Sequence, residues 1–538
     1  MKIIFRFSLL VMTISGLTYP LNAQNLNQYV IGHISGSFEN NSQFYMKDDK
    51  IGALAPPDLI GSNSYLKLDY NYGKFSTGLQ FESYLPSTLG YFPIPVSNGS
   101  KIVNKYFKYS EDKFSLQVGD FYEQFGSGLI FRSYENRQIG INNALEGFNI
   151  HVDPSNGIKM KIIYGRTRKI LDYSNSVTRG LDIDFNLNNV FKLKENEKTA
   201  SINIGGSYVG RYQEYAGPID NFPSTVNAYA GRIDLTTTNI TLNSEYVIKG
   251  SDPHLLNNLS EAKGKALLIN SAFTKNNFGA TVSFRSIYNM DFLSERDGEF
   301  ASIAPVNYIP ALTKQHDYLT SNIYVYAAQV KGESGFQSDL YYHFKPGSKM
   351  GGKYGTKIAF NTSIYKSVGD SLNLLKIGNT QYFSDVNIEI KKKWNKKFET
   401  TLGLQKLFYN AAVIQAVSEG QINANIIAMG AVYKITSKKS IRTKFEHLST
   451  QQDKKNWVSV LAEISLSSPY AFYCSDLYNY GDTKNHYYNI GASVTKKSTR
   501  FALGFGKQRA GLFCVGGVCR FVPASYGFSA MLTTSFSN

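Results

Sequence analysis

The last thirteen residues of the chain, 526–538, alternate bulky and small polar side chains and end two residues after an aromatic residue. Successive side chains of a β-strand point to opposite faces, so four apolar residues would share one face. These are Phe528, Ala530, Leu532 and Phe536. The alternation recurs along the chain, as at 181–187, where odd positions are apolar and even positions are polar. The pattern predicts an all-β protein whose last strand closes a sheet.

Tight turns and longer segments alternate between the predicted strands. The tight turns include Gly73-Lys74, 111–113 and 154–157. The longer segments include 86–101, 122–146 and 167–179. Glycine at position 73 supplies the positive φ that a two-residue hairpin turn needs. Short periplasmic turns and longer extracellular loops are typical of outer-membrane barrels, so the sequence predicts a transmembrane antiparallel β-barrel.

The strand count follows from the same alternation. It gives about 25 strands, whereas an antiparallel barrel with both termini at one end has an even number. The order of turns and loops changes phase between residues 291 and 381, a region interrupted by Pro305, Pro310 and Pro346. One strand is therefore missed or added there. We expect about 26 strands, with 24 as the alternative, and pairing of the last strand with a first strand at 29–38.

Residues 1–24 have the features of a secretory signal peptide. Lys2 and Arg6 precede the apolar run at 7–12, and the small residue Ala23 lies just before the expected cleavage point. Beyond this segment the sequence contains no apolar run of about 18 residues, which is the length that a membrane-spanning helix would need. A single barrel can use all of residues 25–538, because its length grows with strand number. The 38 tyrosines and 35 phenylalanines suit the aromatic girdles of such a barrel. We expect it in the cell outer membrane of a Gram-negative bacterium.

The chain is basic, with a formal net charge of +16. On a soluble protein this charge would suggest nucleic acid, but export separates the chain from nucleic acid. We therefore expect outer-membrane lipid and the phosphates of lipopolysaccharide as partners, or an anionic cargo. Other envelope proteins are further candidates. The alternative is that the lysines are scattered over turns and lumen without a specific partner.

Three cysteines lie in the last quarter of the chain. Cys514 and Cys519 are separated by four residues, two of them glycines, and an oxidising envelope favours a disulfide between them. This disulfide would brace the final hairpin at the barrel seam. Metal binding by the pair is the alternative, but zinc prefers four ligands and no His or paired Cys lies nearby. Cys474 is predicted to be a free thiol at a strand end. We expect no metal and no cofactor.

Residues 119–137 are richer in charges and aromatics than a plain external loop. Glu123, Arg132, Glu135 and Arg137 could form one lumenal ion-pair cluster that holds an inward-folded loop and narrows the barrel. A simple exposed loop is the alternative. A hydrolase that uses Glu123 and Glu135 as paired carboxylates is disfavoured, because a spacing of twelve residues along a loop fixes no geometry.

Four segments together carry a resemblance to a known family. They lie at 119–129, 310–316, 446–457 and 514–523. The chain resembles exported outer-membrane barrels of Bacteroidetes-type bacteria that form a family of unknown function. The resemblance implies a barrel and an outer-membrane location and carries no activity, cofactor or site residue with it.

The function that we predict is a non-enzymatic, porin-like transport or translocation-associated role. The alternative is a structural or docking subunit of an outer-membrane complex. An envelope hydrolase is a third and weaker candidate. Whether the 122–146 segment enters the lumen should distinguish a pore from a scaffold.

Overall fold

Alternating side chains produce 24 long strands, which close into one antiparallel barrel in the computed structural model of the protein. The structure describes residues 32–91, 98–193, 200–215, 222–296, 304–418, 420–467 and 469–538. The predicted signal peptide, residues 1–24, lies outside these ranges. The barrel strands, numbered β1 to β24 in chain order, are His33–Tyr45, Ile60–Tyr72, Phe75–Tyr84, Gly99–Ser110, Phe114–Phe121, Leu145–Ser155, Ile158–Lys169, Val177–Asn186, Ser201–Tyr212, Thr225–Thr236, Ile240–Lys249, Gly264–Lys275, Phe278–Tyr288, Gly332–Phe344, Thr356–Val368, Ile377–Lys393, Phe398–Asn410, Gln421–Lys434, Lys439–Ser449, Trp457–Leu466, Tyr470–Asn479, His486–Lys496, Thr499–Gln508 and Ser525–Ser537.

Several short elements accompany the barrel. Two α-helical turns, α1 and α2, and one 3-10 turn lie in connections, at Leu187–Val190, Ala411–Ile414 and Leu255–Asn257 respectively. Three small two-stranded sheets pair Gln124–Phe125 with Phe131–Arg132, Glu135–Asn136 with Ile141–Asn142, and Gly511–Val515 with Val518–Val522. An extra strand, Asp172–Tyr173, pairs with the end of β7. Among the described residues, no helix has both the length and the apolar character needed to cross a membrane.

The last strand closes the barrel against the first, as the sequence predicts. β24 pairs antiparallel with β1, from Ser35 opposite Ser537 to Tyr45 opposite Gly527. The backbone amide of Ile34 donates to the side-chain oxygen of Asn538 at 2.9 Å, so the end of the chain lies beside the start of β1. The first strand begins at His33 and continues to Tyr45, beyond the predicted end at residue 38.

The expectation of about 26 strands is wrong, and the alternative of 24 is the observed number. The correction falls in the interval that the sequence marks as uncertain. β13 ends at Tyr288, which pairs directly with Gly332 of β14. The described residues between these two positions form no barrel strand. Pro305 and Pro310 lie in this stretch, and proline has no backbone N–H for a ladder.

The predicted alternation of turns and loops is present. Tight turns join β2 to β3, β4 to β5, β6 to β7, β12 to β13 and β22 to β23, at what we call the short-turn end. At the Gly73-Lys74 turn, Gly73 has the predicted positive φ of 56°. The longer connections lie at the opposite, long-loop end. Two of them, β5 to β6 and β13 to β14, contain 23 and 43 residues, since the strands end at 121 and 288 and resume at 145 and 332.

The two faces of the barrel wall differ in polarity, as β11 illustrates. Its outward side chains are apolar and exposed: Ile240 (43%), Leu242 (38%), Tyr246 (41%) and Ile248 (42%). Its inward side chains include Glu245 and Lys249, which are 4% and 0% exposed. Apolar groups outside and charged groups inside reverse the arrangement of a soluble domain. The pattern is that of a barrel with an apolar outer surface and a polar lumen.

Candidate functional site

The β5–β6 loop, residues 122–144, folds into the barrel lumen. It starts and ends on neighbouring strands, because Phe121 and Leu145 are register partners. Between these two ends, the loop contacts inward-facing side chains of strands that lie on both sides of β5 and β6. Arg137 binds Glu39 of β1, and the Ser127 amide donates to Glu245 of β11. A loop that contacts both of these strands must cross the lumen.

The four charged residues predicted for one lumenal cluster do not form a single cluster. Glu135 and Arg137 are ion-paired at 3.0 Å, and Arg137 also pairs with Glu39 at 3.0 Å. Arg132 instead lies over the aromatic ring of Tyr308, 4.0 Å from its centroid. The prediction of one four-residue cluster is therefore wrong. Arg137 links the loop to Glu39 of β1, while the guanidinium of Arg132 stacks on the ring of Tyr308 in the lumen.

Glu123 belongs to a separate group of ionisable side chains. Its two carboxylate oxygens contact His151 Nε2 at 2.5 Å and Lys161 Nζ at 2.9 Å, on β6 and β7. Burial acts to raise the pKa of Glu123, but the hydrogen bond with His151 and the charge of Lys161 outweigh burial and lower the pKa to about 2. Glu123 is thus a carboxylate at neutral pH and fastens the start of the loop to the wall.

A buried ion pair that the sequence did not reveal lies beside this loop. Arg168 of β7 and Glu82 of β3 meet at 2.5 Å, with side chains 2% and 1% exposed. The Tyr84 hydroxyl donates to the same carboxylate oxygen at 2.7 Å. The partners are 86 positions apart in the sequence and their strands are separated by three others. No local pattern could have indicated this contact.

The β13–β14 loop, residues 289–331, also occupies the lumen over its described part. His316 Nε2 lies 2.6 Å from Asp385 of β16. Ser321 donates to Gln405 of β17 at 2.6 Å. Both wall residues are inward-facing and buried. The sequence identified residues 310–316 as part of a distinctive segment but did not predict that they enter the barrel.

Glu446 of β19 holds the middle of this second loop. Its carboxylate accepts hydrogen bonds from the Leu319 amide at 3.2 Å, the Thr320 amide at 2.8 Å and the Thr320 hydroxyl at 2.9 Å. The Glu446 residue is 1% exposed. Three donors on one buried carboxylate make this the most concentrated polar contact between the second loop and the wall that we describe.

The two loops form one body, which we call the plug and define as residues 122–144 and 304–331. The Arg132 amide donates to the Val306 carbonyl, and the Tyr308 amide donates to the Gly128 carbonyl, both at 2.9 Å. These backbone bonds connect the loops directly. The 119–129 and 310–316 segments of the family resemblance therefore largely belong to the plug.

Two apolar clusters pack the plug against the barrel wall. The first joins Phe125, Leu129, Ile130, Phe131 and Val306 to wall residues that include Val209, Val247, Ala266 and Ile287. The second joins Ile323, Tyr324 and Tyr326 to wall residues that include Tyr365, Phe383, Leu407, Tyr409 and Trp457. Complete burial of one such side chain contributes about 1.5–3 kcal/mol. The plug is consequently part of the folded core.

A disulfide joins Cys514 and Cys519 in the β23–β24 connection. It closes the 511–522 hairpin, and the Ala311 amide of the plug donates to the Gly517 carbonyl of that hairpin at 2.7 Å. The hairpin thus contacts the plug. The sequence predicts a disulfide that braces the final hairpin at the barrel seam, but it does not predict this contact. Cys474 is a free, exposed thiol. It lies in the middle of β21, so its predicted place at a strand end is wrong.

Two neighbouring cavities lie on the short-turn side of the plug. One, of about 550 Å³, is lined by plug residues 123, 124, 126 and 127 and by β7, β8, β10, β11 and β12. The other, of about 700 Å³, is lined by residues of the tight turns at 112–113 and 155–157. Asp184 and Asp234 line both cavities. In the described part of the chain, no three His, Cys, Asp or Glu side chains are grouped to hold a metal ion.

Comparison with known sequences identifies the family. The model of a family of unknown function, DUF6029, matches residues 1–536. The chain belongs to this family. A search of curated proteins found no match for this DUF6029 chain.

Several solved structures are similar to this DUF6029 barrel. The translocation pore of the P pilus usher PapC is 10% identical, with 94% of this chain and 99% of that chain covered and a TM-score of 0.46. The siderophore receptor PirA from Pseudomonas aeruginosa is 8% identical, with 95% and 81% covered and a TM-score of 0.40. OccAB3 from Acinetobacter baumannii is 9% identical, with 94% and 99% covered and a TM-score of 0.34. Each of these similarities covers 94–95% of this chain.

Proposed function

We propose that the protein is a non-enzymatic outer-membrane barrel with a transport or translocation-associated role, and that its plug closes the lumen at rest. The plug carries this proposal. A barrel of 24 strands is wide enough to enclose a large lumen, which must be filled by water or protein. The plug crosses that lumen, and a cavity on its short-turn side is lined by plug residues. A path that is closed by an internal segment suits controlled passage.

The outer surface supports the membrane part of the proposal. Exposed aliphatic and aromatic side chains cover the outward face of the strands, as on β11. We propose that outer-membrane lipid and lipopolysaccharide surround this surface and that the 1–24 signal directs export. The short-turn end would then face the periplasm and the long-loop end the exterior. The proposed source is the envelope of a Gram-negative, Bacteroidetes-type bacterium.

The plug can be removed without cutting the barrel ladder. Each of its loops begins and ends on register partners of adjacent strands: Phe121 with Leu145, and Tyr288 with Gly332. A short Gly-Ser turn can therefore replace residues 122–144 and 289–331 in one variant. A matched control shortens the β14–β15 turn at 346–354, which lies at the short-turn end and outside the plug.

Single-channel recording in planar bilayers tests the proposal. We expect the wild-type protein and the control to remain closed for most of the recording. The plug-deleted barrel should show a large, steady conductance, because the deletion removes both loops that cross the lumen. Gel mobility before and after heating would show that all three proteins are folded barrels. A wild-type conductance as large as that of the deletion, or a folded deletion variant that does not conduct, would contradict a plugged pore.

A structural or docking subunit is the second candidate, and the packing of the plug favours it. Two apolar clusters and buried charged contacts make the plug resemble a fixed core. Such a barrel would bind other envelope proteins through its long-loop end. Purification in a gentle detergent tests this possibility, because a docking subunit should retain partners. Recovery of the monomer alone would exclude it.

A further inference from the structure

We propose that a lysine-rich part of the short-turn end binds an acidic segment of a periplasmic protein. This surface consists of the β14–β15, β16–β17 and β18–β19 turns with the strand ends that flank them. We call it the lysine rim and define it as residues 345–357, 391–399 and 434–439. The inference rests on the proposed outer-membrane location, which places the short-turn end in the periplasm. It goes beyond the transport role, because it assigns a partner and does not require the barrel to conduct.

The charged side chains of the lysine rim are almost all of one sign. The rim contains twelve lysines and one carboxylate, Glu399. All of these lysines are exposed except Lys392, which is half-buried. Glu399 pairs with Lys391 at 2.9 Å. The other eleven lysines have no carboxylate within ion-pair distance in the part of the chain that the structure describes, so the rim carries a concentrated positive charge.

This concentration of charge is not shared by all turns of the short-turn end. The β2–β3 and β4–β5 turns lie on the opposite side of the barrel, twelve strands away around the ring. They contain two lysines, Lys74 and Lys113, and two carboxylates, Glu111 and Asp112. Lys74 and Glu111 form an ion pair. The charges there balance, whereas those of the lysine rim require a counter-charge from outside the chain.

The direction of the lysines on β16 favours a protein partner over lipid. Asp385 is 1% exposed and faces the lumen, whereas its neighbour Val386 is 38% exposed on the outer face. Side chains alternate along a strand, so Lys391 and Lys393 lie on the lumen side and Lys392 on the outer side. Lipid surrounds the outer face, so its headgroups can reach only one of these three lysines.

The neighbouring strands repeat this arrangement. Lys357 of β15 shares the lumen face with Asn361, which is 1% exposed. Lys434 of β18 shares the lumen face with Ala428, which is 2% exposed. These lysines border the mouth of the barrel on its inner side, where a polypeptide in the periplasm has access. A surface of one charge sign attracts a partner of the opposite sign, so we infer an acidic partner.

The extent of the lysine rim sets the size of the segment that it can hold. The β14–β15 and β18–β19 turns are separated by four strand spacings. Each spacing is about 4.8 Å, so the rim spans roughly 19 Å. An extended chain advances about 3.3 Å per residue, so about six residues cover this distance. An extended run of about six acidic residues therefore fits the rim.

Fluorescence anisotropy on the full-length protein in a neutral detergent tests this inference. The probe is dye-labelled hexaglutamate at neutral pH and low salt. Hexaglutamine with the same dye and soluble dihexanoyl phosphatidylglycerol are the comparison ligands. We expect hexaglutamate to bind, hexaglutamine not to bind, and phosphatidylglycerol not to displace the bound peptide. Added salt should weaken the binding because the contacts are ionic.

Two rim variants and one charge-matched control assign the binding, and each replaces four lysines by glutamine. The first rim variant carries Lys345→Gln, Lys349→Gln, Lys353→Gln and Lys357→Gln. The second carries Lys392→Gln, Lys393→Gln, Lys396→Gln and Lys397→Gln. The control changes four exposed lysines in connections of the long-loop end and carries Lys47→Gln, Lys50→Gln, Lys376→Gln and Lys454→Gln.

Each rim variant should weaken hexaglutamate binding at least tenfold, whereas the control should bind like the wild type although it loses the same net charge. The two rim variants change separate turns, so one retains the test if the other fails to fold. Absence of hexaglutamate binding, an equal loss in the control, displacement by phosphatidylglycerol, or binding that survives both rim variants would overturn the inference. Binding in detergent does not depend on conductance, so such a result would leave the transport role standing.

Discussion

Replacing Glu446 with alanine is expected to release the middle of the plug while the barrel wall stays closed. Glu446 lies on β19, and its carboxylate accepts three hydrogen bonds from Leu319 and Thr320. Thr320 is 0% exposed, so its donors have no access to water in the folded protein. The substitution removes the acceptor and leaves these donors buried without it.

The magnitude follows from these three contacts. A hydrogen bond to a charged group contributes about 1.5–3 kcal/mol, and the contributions to one carboxylate are not independent. We therefore expect the free energy of local plug opening to fall by about 3–4 kcal/mol, which is a several-hundred-fold change in the opening equilibrium. Glu399→Ala on β17 is the control. Its part-exposed pair with Lys391 should contribute less than about 1 kcal/mol.

Hydrogen–deuterium exchange measures this local opening directly. In Glu446→Ala, the amides of residues 317–326 should lose several-hundred-fold protection, while those of β1 and β24 keep theirs. The control should exchange like the wild type. Unchanged protection of 317–326 in Glu446→Ala would refute the reasoning, since the loop would then be held without this carboxylate. Equal loss of protection in the plug and the wall would indicate global destabilisation instead.

Three further predictions concern other parts of the plug and its surroundings. Arg168→Leu leaves a buried carboxylate unpaired and should lower stability by about 3–5 kcal/mol in chemical unfolding, whereas Arg166→Leu, at a half-exposed pair two residues away, should cost less than about 1 kcal/mol. Because the pKa of Glu123 is lowered to about 2, its contribution to stability is complete above its usual pKa of 4.5 and is lost as the pH falls toward 2; Glu123→Gln should flatten the acid-unfolding profile in that window. Peptide mapping without reductant should recover the peptide that contains Cys514 and Cys519 with a mass two hydrogens below that of its reduced form, and two free thiols in that peptide would contradict the bridge.

Much of the barrel could be predicted from the sequence because strand formation leaves a local record. Alternation at 526–538 identified the closing strand, and tight turns such as Gly73-Lys74 fixed the ends of the hairpins. The predicted number of about 26 strands is wrong because of one local region. The described residues between Tyr288 and Gly332 fold into the lumen and form no barrel strand. The number is therefore 24.

The plug contacts could not be predicted because they join distant parts of the chain. Glu446 and Thr320 are 126 positions apart, and Arg168 and Glu82 are 86 apart. Composition did single out 119–137 as unusually charged, and most of that segment entered the lumen. It could not indicate that Arg132 would stack on an aromatic ring from the second loop. Such partners are determined only once the barrel brings the two loops together.

The central claim is that the plug lies across the lumen of a 24-stranded barrel. Cryo-electron microscopy of the full-length protein in lipid nanodiscs tests it most directly. The map should show residues 122–144 and 304–331 inside the barrel, with the 511–522 hairpin in contact with them. An empty lumen, with both loops outside the wall, would contradict the account.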